Sequence, residues 1–329
     1  MPLSLASGPL LGLPLVEIWF AVMFVTLAMF LWLDGSNFGI GVLFGMIGDE
    51  EIRETMLAAI APLWDGTEVW LIVFGGAMFA VFPDVYAQLF SGYYLLMFMI
   101  LGSLIIRGIS PEFREQRHDE GWQRLWGRLF VAGSALAPFF LGMFAANWIV
   151  GATGIFSLPG VVVGLALVAL STVEGAAFTN MKLERKSNVV VSYGTVAQVA
   201  YLVLAVATVA YLYLFAGMQA KILAVPGIAL VLVTALVGLA YIWLLRNGRA
   251  LSAFVASGVQ TFGLATLVAY LLYPTIYPAG GLTVREAAVS TLGINVMTIV
   301  LVIFLPLILL YFAVLYSAFR GPARAGEGY

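Results

Sequence analysis

Residues 290–316 read STLGINVMTIVLVIFLPLILLYFAVLY, twenty-seven residues without one charged side chain. A helix that crosses the hydrocarbon core of a bilayer needs about 20 mostly apolar residues, and this run supplies them with turns to spare. Working outward, comparable runs lie at 17–38, 57–80, 88–108, 129–150, 155–178, 191–216, 225–245 and 251–273. The sequence therefore predicts an all-α integral membrane protein with about nine transmembrane helices. Composition agrees. Of the 329 residues 63% are hydrophobic and 10% charged, and mean hydropathy is +1.05. Soluble domains run at roughly 45–50% apolar and about 25% charged.

Basic residues orient the chain. The loops at 39–56, 107–128, 181–190, 246–250 and 317–329 hold Arg53, Arg107, Arg114, Arg117, Arg124, Arg128, Lys182, Arg185, Lys186, Arg246, Arg249, Arg320 and Arg324. The opposite set holds Lys221 and Arg285. By the positive-inside rule the N-terminus is expected outside and the C-terminus inside. The segment from Met1 to Val16 has no basic n-region and does not read as a cleaved signal peptide. With no loop above 22 residues, residues 1–329 are expected to form a single polytopic domain that acts within the bilayer or through a partner.

The residue inventory excludes several chemistries. Cysteine is absent and histidine occurs once, at His118, so thiolate metal sites and conventional haem ligation are not expected. A net charge of −2 gives no basic footprint for nucleic acid.

What remains is protonic. A charged side chain near a helix centre costs at least about 2.5–3.5 kcal/mol, and four carboxylates fall in the runs: Asp34, Asp65, Glu68 and Glu174. Asp65 and Glu68 stand three residues apart, on one helix face. If their helix starts near Leu57, Asp65 lies about 12 Å in from the cytoplasmic side at 1.5 Å per residue. Arg107, expected to close the third helix, is the counter-ion for Asp34 or Asp65. These groups are candidates for a proton path, with helix packing as the alternative role. Gly35/Gly39, Gly75-Gly76 and Gly258/Gly263 are expected at helix-packing sites, as is Gly66. Asp34-Gly35 with Phe38 also matches Glu174-Gly175 with Phe178, which suggests a half-repeat, 1–150 and 151–316, of two four-helix bundles plus one extra helix.

Together the motifs resemble subunit II of the cytochrome bd-type quinol oxidases, including the cyanide-insensitive branch. The resemblance is densest across 33–115. It rests on Asp34-Gly35 with Gly39 and Gly41, then on Ala61-Pro62-x-Trp64-Asp65-Gly66-x-Glu68-Val69-Trp70 and Gly75-Gly76-Ala77-x-Phe79-Ala80. Arg107-Gly108-x-Ser110-x-Glu112-Phe113-Arg114 extends it, and Leu292-x-Ile294-Asn295-Val296-Met297-Thr298 adds a match near the C-terminus. The resemblance implies a multi-pass protein of the prokaryotic cell membrane that supports its partner's assembly and delivers cytoplasmic protons. That partner is a homologous subunit I carrying two b-type haems, one d-type haem and the quinol site, where quinol is oxidised and O2 reduced to water. It also implies contact with membrane lipids and, in some members, a structural quinone in this subunit. Two departures stand out: Leu63 where the family often has His, and Asn37 where many relatives carry a second acid. The competing reading is a proton-coupled secondary transporter, which would also bury carboxylates at helix breaks.

Overall fold

Helix boundaries follow from caps and breakers that the sequence supplies. Asp49, Asp119, Ser157, Ser187 and Ser290 each turn a side-chain oxygen back to a backbone N–H of the first turn, satisfying donors that a helix start leaves open. Gly151 ends one long helix at a φ of 66°, a left-handed conformation that a Cβ disfavours. The computed structural model describes residues 5–6, 8–184, 186–319 and 321–323, without the side chains of Trp64, Asp65 and Tyr316. Arg185, Arg320 and Arg324 of the basic set lie outside the described residues.

Among the described residues twelve α-helices result: α1 (Leu15–Met46), α2 (Glu50–Ile60), α3 (Trp64–Val81), α4 (Pro83–Gly92), α5 (Tyr94–Glu115), α6 (Glu120–Val150), α7 (Leu158–Lys182), α8 (Asn188–Leu214), α9 (Gln219–Leu223), α10 (Val225–Arg246), α11 (Ala250–Leu272) and α12 (Thr291–Ala318). Eight of these (α1, α5, α6, α7, α8, α10, α11 and α12) are long and apolar enough to cross a membrane.

The ninth expected span is where sequence and structure part. Residues 57–80 do not form one helix. Pro62 has no N–H and its ring crowds the carbonyl four residues back. Accordingly α2 stops at Ile60, the Leu63 N–H donates to the Ile60 carbonyl at 2.9 Å, and α3 starts afresh at Trp64. Asp65 therefore sits in the first turn of α3 rather than two turns inside a continuous helix, which is the premise of the depth of about 12 Å. The expected span 88–108 also divides, at Tyr93, into α4 and α5. Because α5 continues to Glu115, Arg107 lies about two turns inside it and does not close it.

α1 is the hub. It packs against α3, α6, α7 and α11, while α5 pairs with α6 and the helices α7, α8, α10 and α11 pack on one another. The α1–α7 crossing is close because small residues meet there. A Cβ on Gly39 would strike the backbone carbonyl of Ser171, and one on Gly175 would strike the backbone of Gly39. Gly66 brings α3 against α12, with the Leu315 side chain 3.0 Å from where its Cβ would be. Gly258 does the same for the Trp32 ring at 2.5 Å, whereas beside Gly263 the Thr234 hydroxyl stands 3.4 Å off. Gly75 and Gly76 differ from these: among the described residues, a Cβ on either meets nothing within 4 Å. They border an apolar cavity of about 540 Å³ that runs between α1, α3, α4, α5, α6, α7, α8 and α11.

The two basic residues at the sparsely charged end are both engaged. Lys221 donates to the carbonyls of Leu271 and Tyr273, and burial pushes its amine below the usual lysine range. Arg285 donates to Glu17 at 2.7 Å.

Candidate functional site

About two-thirds of the way along α1 the apolar pattern breaks into Asp34-Gly35-Ser36-Asn37. The stretch of α1 before it feeds a buried cluster with Met23, Phe24 and Phe30. The stretch after it feeds a second cluster with Leu43 and Phe44. Between the two, unsolvated charge must be neutralised by protein groups, and the fold brings them in from two other helices.

Arg107 reaches across from α5. Its guanidinium donates to both oxygens of Asp34, Nη1 to Oδ1 at 3.0 Å and Nη2 to Oδ2 at 3.2 Å. This two-pronged match suits the planar fork of arginine and is unavailable to lysine. The same Nη2 donates to Glu68 from α3. The Phe38 ring lies under the guanidinium, 4.6 Å from centroid to Cζ. Asp34 Oδ1 also accepts from Asn37 Nδ2 at 3.0 Å and from Thr67 Oγ1 at 3.0 Å, and Asn37 Nδ2 lies 2.9 Å from Thr67 Oγ1. Asp34 and Arg107 are wholly buried. Glu68 is not: its side chain is 38% exposed, in a lateral groove of about 500 Å³ between α3 and α5 that Glu112 also lines.

The arrangement is two carboxylates on one guanidinium. With both carboxylates ionised and the guanidinium protonated, the three groups sum to a formal charge of −1. The oxygens of Asp34 are occupied by three donor residues, while Glu68 opens on the groove. Asn37 explains its own identity here. An acid at that position would stand against Asp34, whereas the amide supplies a donor.

Glu174 on α7 occupies a different setting. It is fully buried, its Oε1 accepts from the Thr261 hydroxyl of α11, and Oε2 has no hydrogen-bond partner among the described residues. That oxygen lies against the Cα of Gly35, where a Cβ would collide with it. Glu174 and Asp34 thus flank one point of α1 but face different helices. Nearby, Tyr241 donates to the Val173 carbonyl at 2.6 Å. Gln198 and Gln260 exchange amide hydrogen bonds at 2.8 and 3.1 Å, both wholly buried.

Of the residues singled out in the sequence, the structure joins Asp34, Arg107 and Glu68 in one cluster and holds Glu174 apart. The side chains of Asp65 and Trp64 lie outside the described residues. Trp70 stacks on Phe312 of α12, centroids 5.3 Å apart. Sequence reasoning passed over Asn37 as a donor, and over Thr67, Thr261 and the glutamine pair. The spacing Asp34-x-x-Asn37 was a legible signal for the first; the others come from helices remote in sequence.

This geometry lies on the segments of densest motif, and comparison with known proteins settles the family. The sequence profile for cytochrome bd terminal oxidase subunit II matches residues 15–319. The chain belongs to that family. It is thus a subunit of a cytochrome bd oxidase, an oxidoreductase complex, and with its eight apolar helices and bacterial relatives a multi-pass protein of the cell membrane. It is 29% identical to the cytochrome bd-I ubiquinol oxidase subunit 2 of Escherichia coli K12, over 91% of this chain and 92% of that one. A shorter match, 37% identical over 39% of this chain and 38% of the relative, is to the cytochrome bd ubiquinol oxidase subunit 2 of Bacillus subtilis. In fold, it superposes on a chain of the bd oxidase from Geobacillus thermodenitrificans with a TM-score of 0.75. The match covers 93% of this chain and 99% of that one at 17% identity. Family membership takes precedence over the reading as a proton-coupled transporter.

Proposed function

We propose that this bd oxidase subunit binds no haem itself, supports assembly of a haem-bearing subunit I, and hands that partner protons taken from the basic, cytoplasmic end of the bundle. In this reading the partner carries two b-type haems and one d-type haem, oxidises quinol and reduces O2 to water. Each O2 takes up four protons and four electrons, so a proton supply across apolar protein is an obligatory part of the machine.

The observation that carries the reading is the shared guanidinium. Two carboxylates share Arg107, and the half-exposed Glu68 is where a proton can be taken up and passed on. A carboxylate open to lipid at membrane depth is costly, so the α3–α5 groove is the face we assign to the partner subunit. Asp65, three residues before Glu68 at the start of α3, is the entry position in this scheme, and Asp34 is the fixed anion that holds Arg107 in place. Glu174, apart from the cluster and against Gly35, serves as a second, uncharged station or as a packing group.

The chain's donor set does not fit haem: cysteine is absent and the single histidine, His118, is exposed in the turn before α6. The apolar cavity beside Gly75 and Gly76 fits an isoprenoid chain better than a quinone ring, since its lining offers few hydrogen-bonding groups. A structural quinone would place its tail there. The half-repeat of 1–150 and 151–316 is supported by the Gly39–Gly175 crossing, which sets Asp34-Gly35 beside Glu174-Gly175.

The test is quinol-oxidase turnover of the purified complex carrying Asp65→Asn or Glu68→Gln. We expect turnover to fall about a hundred-fold, at the lower end of what a positioned proton-transfer group contributes, with haem spectrum and subunit ratio unchanged. Unchanged turnover, or loss of all haem on either substitution, overturns the proton-path assignment.

A further inference from the structure

At the arginine-rich end of the bundle, the last turn of α1, helix α2, the end of α5 and the start of α6 enclose an open cavity of about 560 Å³. Arg53, Arg114, Arg124 and Arg128 line it, facing the carboxylates of Glu50 and Glu120. The proton-path scheme uses none of these groups.

The arginines divide into an inner and an outer pair. Arg53 is committed to the Phe44 carbonyl at 3.0 Å and to Glu50 at 3.1 Å, and Arg114 to Glu54 at 2.7 Å and Glu50 at 3.1 Å. Both guanidiniums lie over the Phe44 ring. The inner pair therefore builds the wall. The outer pair is available. Arg124 donates Nε to a backbone carbonyl of its own helix and stands 3.5 Å from Glu120, with its side chain 69% exposed. Arg128 is exposed and has no hydrogen-bond or ion-pair partner among the described residues.

Helix length places this pair at a definite level. α6 has 31 residues, about 46 Å at 1.5 Å per residue, against a hydrocarbon core of about 30 Å. With Val150 at the opposite face, the first ten residues stand in the headgroup layer, Arg124 and Arg128 among them. Below them the cavity wall turns apolar, with Phe44, Gly45, Gly127 and Val131. One and two turns further along α6, on the side of Arg128, lie Ala132 and the exposed Leu136. A ligand that suits this gradient has an anionic head and an apolar body. Basic pockets between membrane helices near the headgroup level bind anionic lipids on these terms, and the arginine fork suits phosphoryl oxygens.

We propose that this cavity binds the phosphoryl headgroup of an anionic phospholipid, with Arg124 and Arg128 as its ligands and the inner pair as scaffold. The measurement is native mass spectrometry of the intact oxidase complex, extracted in mild detergent and exchanged against phosphatidylglycerol. Wild type, Arg124→Ala/Arg128→Ala and Arg124→Lys/Arg128→Lys are compared, with assembly checked by size exclusion. The alanine pair is expected to retain the lipid roughly thirty-fold less well, at about five-fold per basic residue near an anionic surface. The lysine pair should fall between, because charge survives without the fork. Millimolar inorganic phosphate should leave retention in wild type unchanged. Three results overturn the proposal: equal retention by the alanine pair, displacement by inorganic phosphate, which marks a soluble-anion site, or protection of both arginines from phenylglyoxal after full delipidation, which marks a polypeptide occupant.

Discussion

Removing the guanidinium of Arg107 isolates the electrostatic logic of the bundle. In Arg107→Gln, Asp34 keeps Asn37 and Thr67 as donors but loses the one cation that pairs with it among the described residues, and Glu68 loses the same partner. Arg107 and Asp34 have 1% and 0% of their side-chain surface exposed, so water does not replace what is lost. Breaking a buried pair by deleting one member costs about 3–5 kcal/mol. The escape route has a similar size, since protonating an ordinary carboxylate at pH 7 costs about 4 kcal/mol. At about 2 °C per kcal/mol, the lower end for larger chains, the thermal midpoint of the purified complex should drop by roughly 6–10 °C. The assay is fluorescence-detected size exclusion after heating at a fixed rate. The second limb is Arg107→Gln/Asp34→Asn, in which no buried charge is orphaned at the pair; it should recover at least half of the loss. A drop under about 2 °C in the single variant, or a double variant as unstable as the sum of its parts, refutes the argument that the pair is held by mutual neutralisation.

Other expectations follow from the same contacts. Gly39→Ala, which drives a Cβ into the Ser171 carbonyl, should abolish accumulation of assembled protein in membranes, because neither backbone can yield. Gly35→Ala meets only the end of the Glu174 side chain, so its lower yield should be restored in part by Glu174→Ala; no restoration would place the strain elsewhere. By contrast, Gly75→Ala and Gly76→Ala should express and assemble like the parent, and intolerance of both would mean that another molecule covers this face. Gln198→Leu alone leaves the Gln260 amide buried without its partner and should cost about 1–3 kcal/mol, while Gln198→Leu/Gln260→Leu should be closer to the parent when thermal midpoints are compared.

The split second span shows where reading a sequence by hydropathy reaches its limit. Residues 57–80 are apolar enough to read as one span, and a window average does not see that Pro62 withdraws one hydrogen bond and forces a new start at Trp64. The breaker itself was visible; the outcome depended on whether neighbouring helices could hold the two pieces, which α1 and α12 do for α3. The paired glycines tell a similar story. Gly35, Gly39, Gly75 and Gly76 look alike in sequence, yet the first two lie in a helix crossing and the other two border a cavity, because a glycine matters for packing only where another backbone or side chain arrives opposite it.

By itself the sequence determined that the chain lives in a bilayer, since uncharged runs of this length have no other solvent. It also named the acids placed inside apolar runs, Asp34, Asp65, Glu68 and Glu174, as the groups to examine, and its motifs carried the family. Only the tertiary structure decided which acids share a charge. Asp34, Glu68 and Arg107 come from three helices up to 73 residues apart, and local periodicity holds no information about which helices become neighbours. That choice rests on shape, on glycine against backbone at the α1–α7 crossing, and on the need to neutralise an Asp34 that is wholly buried.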